Sequence, residues 1–350
     1  MPEPAGPIDW AAAVRSGRRM APIGPAISPV EAARAVADLR EFSGRAELIV
    51  RDTTELGHGL PVDDADVVDR PGWIAATAQG MERLAAPAVA KLTAATGGGM
   101  AGQLTRGVAG QQIGFILGFL SGKVLGQFDP LGGDPARPGR LLLVAPNIVK
   151  VERELKADPT DFRLWVCLHE STHRLQFTAV PWLRDYFTAL VADFADKADT
   201  DPTEMLRRAV AALKGESTRD EGRLSWMEGI QSPEQRVVFD RVMALMSLLE
   251  GHADYVMDAV GPTVVPSVTT IRASFTERRR KGAGPIDRLI RALLGMEMKL
   301  AQYVNGGAFV REAVHAVGMT RFNAVWESPQ TLPTRAEIAD PAAWVRRVHG

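Results

Sequence analysis

The stretch WVCLHESTHRLQF, residues 165–177, contains two histidines four positions apart, His169 and His173, with Glu170 directly after the first. Residues four apart on an α-helix lie nearly above one another, so both imidazoles would point to one place. Glu170 is rotated from His169 by about 100° around the helix. The residues that precede the motif are apolar, which predicts a buried helix whose polar groups need partners. The stretch therefore predicts a helix that carries a metal site.

A third ligand has to come from elsewhere in the chain. The extended pattern HExxHxxGxxH would require glycine at position 176 and histidine at position 179, but the chain has Gln176 and Ala179 there. That class of site is therefore excluded, and a glutamate from a later helix is the other known solution.

The segment LLEGHADYVMD, residues 248–258, offers such a glutamate at Glu250. His252 is the competing ligand, but it lies about 200° from Glu250 around a helix, so both cannot easily reach one ion. We favour Glu250, which completes a zinc-binding set with His169 and His173.

Two further carboxylates have predicted roles at this site. Glu170 is placed to act as general base on a water molecule that zinc activates, without ligating the metal. Asp254 follows Glu250 by four residues and would accept a hydrogen bond from the outer N–H of a ligand histidine. Cys167 points roughly opposite His169 and is interpreted as a core residue.

Composition limits the class of protein. The 350 residues carry a net charge of -1, which gives no overall field to attract nucleic acid or an anionic membrane. A single cysteine excludes a disulfide framework, and the N-terminal sequence lacks the order of an export signal, so we expect a cytoplasmic protein.

Helical periodicity dominates the chain, so we predict a mostly α, single-domain fold with a small β element near residues 140–146. The domain is expected to span residues 1–350, with an N-terminal helical part to about residue 135 and a metal-binding part over about 136–350. A helix is predicted from Ser28 to about Phe42, ending before Gly44.

A glycine repeat within residues 97–127 allows two interpretations. Glycines recur every four residues from Gly110 to Gly126, a spacing that lets helices approach closely and that membrane helices also use. The uninterrupted apolar part, Ile113 to Leu120, is far shorter than the roughly 20 residues of a membrane span. We favour a tightly packed helix and expect no membrane association.

Several segments together resemble one bacterial family, the zincin-like proteins with a gluzincin-type HExxH motif, for which no function is assigned and which is linked to deazaflavin-coenzyme biosynthesis. The resemblance implies a mostly helical zincin-like fold and a metallopeptidase or other hydrolase with the same ligands and base. Arg174 departs from the general motif, which usually has an uncharged residue there. The segments that carry the resemblance are VLGQFD (124–129), LLLVAPNI (141–148), WVCLHESTHRLQF (165–177), VPWLRDY (180–186), LLEGHADYVMD (248–258), KLAQYVNGGAFV (299–310) and LPTRAEIADPAAWVRRV (332–348).

Two functions of different classes follow. The first is a zinc-dependent hydrolase, most simply a metallopeptidase acting on an unknown peptide or amide substrate, with Tyr255, Tyr303 and His315 as candidate oxyanion donors. The second is a zincin-fold scaffold or binding protein whose metal is structural or vestigial and which has no turnover. An open coordination position facing a cleft would distinguish the first from the second.

Overall fold

A computed structural model of the protein describes residues 8–95, 100–134, 137–197, 233–281 and 296–350. The described residues fall into two compact units. The first comprises the described parts of Met1–Arg184 and His252–Gly282, and the second those of Asp185–Gly251 and Ala283–Gly350. The fold is mostly α with a small sheet, as predicted. The prediction of a single domain stays a prediction.

The elements of the first unit begin with helices, continue through the small sheet and end on helices. They are α1 (Trp10–Met20), α2 (Pro29–Thr54), β1 (Asp66–Val68), α3 (Arg70–Ala95), α4 (Met100–Ser121), β2 (Gly126–Asp134), β3 (Arg137–Val144), α5 (Ala145–Leu155), α6 (Pro159–Thr178), the C-terminal part of α8 (Pro233–Ala259), α9 (Gly261–Val264) and α10 (Val268–Lys281).

Strand β3 is the centre of a three-stranded sheet of order β1-β3-β2, parallel to β1 and antiparallel to β2. Its alternating side chains enter two different hydrophobic clusters. Leu141 and Leu143 pack with α2 and α6, while Leu142 and Val144 pack with α3 and α4. Because successive side chains of a strand point to opposite faces of the sheet, β3 contributes to the hydrophobic clusters on both faces.

Helix α2 begins at a capping box in which Ser28 and Glu31 bond to each other's backbone N–H groups. The predicted end before Gly44 is wrong, because the helix continues to Thr54. Leu39, Ala46 and Val50 form part of a continuous buried stripe across that glycine. Burial of this stripe against α6 offsets the roughly 0.5–1 kcal/mol that a glycine costs inside a helix.

The glycine repeat is explained by the packing of α4 on α1. A Cβ atom placed on Gly114 would lie 2.4 Å from the backbone oxygen of Ala13, and one on Gly118 would lie 2.9 Å from the oxygen of Gly17. Only glycine allows the two backbones to approach this closely. Residues 97–99 of the glycine-rich segment lie outside the described residues. Among the helices that the structure describes, none combines the length and hydropathy of a membrane crossing.

The second unit contains α7, the first part of α8 and a C-terminal group of short helices. Its core includes Trp344, which is fully buried against Phe309 and Phe322 and donates from Nε1 to the backbone oxygen of Thr331. The elements are α7 (Leu183–Asp196), α8 up to Gly251, α11 (Met296–Val317), α12 (Met319–Phe322), a 3₁₀ helix (Asn323–Trp326), α13 (Arg335–Ala339) and α14 (Pro341–His349).

Candidate metal centre

Helix α6 presents the two histidines of the motif on one side. Asp158 caps the N-terminus of the helix, where its side chain accepts from the backbone N–H of Asp161. His169 and His173 are half-buried, and their Nε2 atoms lie 3.2 Å apart. The predicted convergence of two imidazoles is therefore present.

Glu250 joins the two histidines. The ligand atoms of His169, His173 and Glu250 all lie within 4.8 Å of one another. Glu250 lies on the continuous helix α8, two residues before His252, and that histidine packs beside Gln176 in the first unit.

The donor set fits a zinc ion. Two imidazole nitrogens and one carboxylate form a combination that zinc accepts. The outer nitrogen of His173, Nδ1, lies 3.0 Å from Gln176 Oε1, and that of His169 lies 3.2 Å from Met257 Sδ. If both Nδ1 atoms carry the proton, the two Nε2 lone pairs face each other at 3.2 Å, and a cation relieves their repulsion.

Glu170 lies next to the histidines in sequence and is buried, with only 7% of its surface exposed. A Cβ atom on Gly126, where β2 begins, would lie 2.6 Å from Cγ and 2.9 Å from Oε1 of Glu170. The space for this carboxylate therefore depends on a glycine at the start of the strand.

Arg174, the residue that departs from the general motif, has a structural explanation. Its guanidinium forms an ion pair with Glu47 on α2 and donates to the backbone oxygen of Asp63. Arg51 pairs with the same Glu47. Burial lowers the pKa of Arg174, and the nearby Glu47 carboxylate opposes that shift. The charge next to the motif thus belongs to a buried ionic network that joins α6 to α2.

His252 and Cys167 are both fully buried. Burial lowers the pKa of His252 to about 3, so this imidazole is neutral near neutral pH. Its Nδ1 atom lies 3.2 Å from Gln176 Nε2, and the metal cluster found among the described residues contains Glu250 and not His252. Burial also raises the pKa of the Cys167 thiol, which agrees with its interpretation as a core residue.

Asp254 forms an ion pair that the sequence analysis does not predict. Its carboxylate pairs with Arg272, which also binds Asp258. The contacts at the outer nitrogens of the histidines come from Gln176 and Met257. The role of Asp254 as their hydrogen-bond partner stays a prediction, and the ion pair with Arg272 weighs against it.

The candidate oxyanion donors are not distinguished by the structure. Tyr255 is partly buried and packs against the core of the first unit. His315 is exposed on α11 in the second unit, and the side chain of Tyr303 lies outside the described side chains.

Sequence reasoning missed three residues at this centre: Gln176, Met257 and Gly126. Gln176 follows His173 by three residues, a spacing that places both on one helical face, so it could have been found. Met257 lies on α8, seven residues after Glu250, which also leaves it on the same face. Nothing in the sequence signals the approach of Gly126 to Glu170.

Comparison with known proteins places these features in a family. A solved structure from Chloroflexus aurantiacus, provisionally assigned as a hydrolase with a novel fold, is 31% identical with a TM-score of 0.69, covering 97% of this chain and 98% of that one. No significant match is found among curated proteins. A family model described as zincin-like metallopeptidase matches residues 8–345. Because that match covers nearly the whole sequence, the chain belongs to the zincin-like metallopeptidase family.

Proposed function

We propose that the protein is a zinc-dependent hydrolase of peptide or other amide bonds, in which His169, His173 and Glu250 hold the metal and Glu170 is the general base. The observation that carries this proposal is the convergence of the three ligand atoms within 4.8 Å. Membership of the zincin-like metallopeptidase family supports the same chemistry.

A bound zinc ion supplies a Lewis acid that polarises a carbonyl and brings the pKa of water to about 7. The residues of this chain supply position and proton transfer. Glu170 is one residue beyond His169, so its carboxylate is offset around the helix from the ligand direction. In that position it can take a proton from the attacking water and return it to the leaving amine. Gly126 leaves the space that this carboxylate occupies.

The substrate is proposed only as a class. The similar structure from Chloroflexus aurantiacus is provisionally assigned as a hydrolase, which agrees with bond hydrolysis but names no substrate. The net charge of -1 gives no reason to expect a nucleic acid substrate. The link to deazaflavin-coenzyme biosynthesis implied by the resemblance stays an expectation.

The decisive experiment compares Glu170→Gln with the wild-type protein on a peptide and amide library in the presence of zinc. The change keeps the size of the side chain and removes its basic oxygen. We expect zinc affinity to stay near the wild-type value and turnover to fall roughly 10²–10⁴-fold, the usual contribution of general acid–base catalysis.

Glu154→Gln is the matched control, because Glu154 is a solvent-accessible glutamate on α5 with partners Lys150 and Arg278. It should leave both zinc affinity and turnover unchanged. Retained turnover in Glu170→Gln would remove the proposed base. Zinc binding by the wild type without hydrolysis of peptides, esters or amides would instead favour a zincin-fold scaffold with a structural metal.

A further inference from the structure

We propose that Gln176 and His252 form a buried pair that fixes the proton of His173 on Nδ1 and so keeps its Nε2 available for the metal. This inference rests on the proposed zinc site. It assigns positioning roles to two residues that do not contact the metal, one of which competes for the ligand role on sequence grounds alone.

The geometry is a short chain of three side chains. Gln176 and His252 are both fully buried, while His173 is half-buried. Gln176 Oε1 lies 3.0 Å from His173 Nδ1, and Gln176 Nε2 lies 3.2 Å from His252 Nδ1. The amide therefore bridges two imidazoles, one from α6 and one from α8.

The direction of the hydrogen bonds follows from the requirement at the metal. An imidazole ligates through an unprotonated nitrogen, so a neutral His173 that ligates through Nε2 carries its proton on Nδ1. That N–H donates to Gln176 Oε1. The amide group of Gln176 then faces His252 with its NH₂, which donates to His252 Nδ1. His252 must accept there and carries its own proton on Nε2.

The alternative arrangement shows why both residues matter. If the amide of Gln176 were turned, its NH₂ would face His173 Nδ1, and the proton of His173 would move to Nε2, where it blocks ligation. His252 would then have to carry its proton on Nδ1. The tautomers of His173 and His252 are thus coupled through one amide, and each state of His252 selects one state of His173.

A glutamine differs from the carboxylate that often holds a metal-bound histidine. Its amide oxygen fixes the tautomer and ring orientation without adding negative charge to a buried site. The oxygen and the nitrogen of the Gln176 amide each contact one imidazole, so a change at Gln176 should disturb both histidines. A change at His252 should disturb His173 indirectly, through the amide of Gln176.

The test uses the full-length chain without metal, labelled with ¹⁵N in its histidines, and reads the tautomers by long-range ¹H–¹⁵N NMR correlation. We expect His173 as the Nδ1–H form and His252 as the Nε2–H form. Zinc affinity is measured in parallel by competition with a chromogenic chelator. Removal of an outer hydrogen-bond partner usually costs roughly 10–100-fold in metal affinity, which is the loss expected for Gln176→Leu.

Three further variants sharpen the result. Gln176→Glu keeps an acceptor oxygen for His173 and should restore most of the affinity. His252→Leu leaves the amide of Gln176 free to turn, so it should give a mixture of His173 tautomers and an intermediate loss. Gln111→Leu makes the same chemical change at an exposed position on α4 and should have no effect.

Failure of this inference is separable from failure of the proposed function. Zinc binding without turnover would end the hydrolase proposal and leave the tautomer assignment standing. A wild-type His173 protonated on Nε2 without metal would overturn the inference whatever the activity. Wild-type zinc affinity in folded Gln176→Leu, as judged by circular dichroism, would overturn it too. If that variant does not fold, the wild-type tautomers and His252→Leu decide.

Discussion

The two sides of α6 bury polar groups in opposite ways. On the side that faces α2, Arg174 meets Glu47, and Arg51 closes the network, so each charge has a partner of opposite sign within the protein. On the other side, His169 and His173 bring two nitrogens of the same kind to within 3.2 Å, with a carboxylate of α8 close by.

The difference separates a structural ionic network from the proposed metal site. A buried charge that is paired with an opposite charge of the protein joins two helices and needs no bound ion. When both histidines carry their proton on Nδ1, the imidazole Nε2 atoms and the carboxylate oxygen are all acceptors, and a cation is a suitable common partner for them. One side of α6 thus anchors the fold, and the other side carries the two histidines of the proposed ligand set.

The largest loss of stability is expected when the ionic network of Arg174, Glu47 and Arg51 is broken. Arg174→Leu would leave Glu47 buried with Arg51 as its remaining partner, and loss of one member of a buried ion pair typically costs about 3–5 kcal/mol. We expect the free energy of unfolding in urea to fall by about 3 kcal/mol. Arg153→Leu, which removes an exposed pair with Glu31, should cost less than about 1 kcal/mol. Equal losses in the two variants would contradict the distinction.

The second prediction concerns the side of α6 that carries His169 and His173, where stability should depend on added zinc. At a zinc concentration a hundred times the Kd, binding to the folded state should stabilise the protein by about 2.7 kcal/mol, and a chelator should remove that gain. Glu250→Ala should lose the zinc-dependent part of the thermal shift. His58→Ala, at an exposed histidine, should keep it. Full zinc stabilisation in Glu250→Ala would show that this carboxylate is not a ligand.

A smaller loss of stability is expected at Gly126, where strand β2 packs against Glu170 of α6. Gly126→Ala would force its new methyl group against Glu170, and overpacking of this kind costs about 1–3 kcal/mol. Gly44→Ala is the control, since a Cβ there meets nothing within 4 Å and alanine is favoured in a helix by about 0.5–1 kcal/mol. Thermal unfolding of both variants should move in opposite directions. A stabilised Gly126→Ala would contradict the close approach.

The sequence alone predicted the elements whose signals are local. The i,i+4 spacing placed His169 and His173 together on one side of α6. Strand β3 was expected from its apolar run, but its partners were missed. Strand β1 has only three residues, and β2 contains the segment DPLGGD, whose proline and glycines are poor strand formers.

Non-local contacts explain what the sequence could not give. The role of Arg174 depends on Glu47, which lies on another helix and far away in the chain, so its charge was interpreted as a departure from the motif. Asp254 has a spacing that suits a histidine partner, and its ion pair with Arg272 on another helix cannot be read from that spacing. Competition between partners is decided by packing, which a pattern of spacing does not contain.

The smallest effect concerns this second ion pair, and it isolates burial as the cause of the difference between the two arginines. The side chain of Arg272 is 27% exposed, against 4% for Arg174, although both bind carboxylates. Water reaches this half-buried pair, so we expect it to behave as exposed pairs do, which contribute only about 0.2–1 kcal/mol and are screened by salt. Arg272→Leu should therefore lower the free energy of unfolding by about that amount, and by less in 1 M salt. The loss in Arg174→Leu should be nearly independent of salt, because water and ions do not reach that pair. A salt-independent loss of about 3 kcal/mol in Arg272→Leu would show that burial does not set the difference.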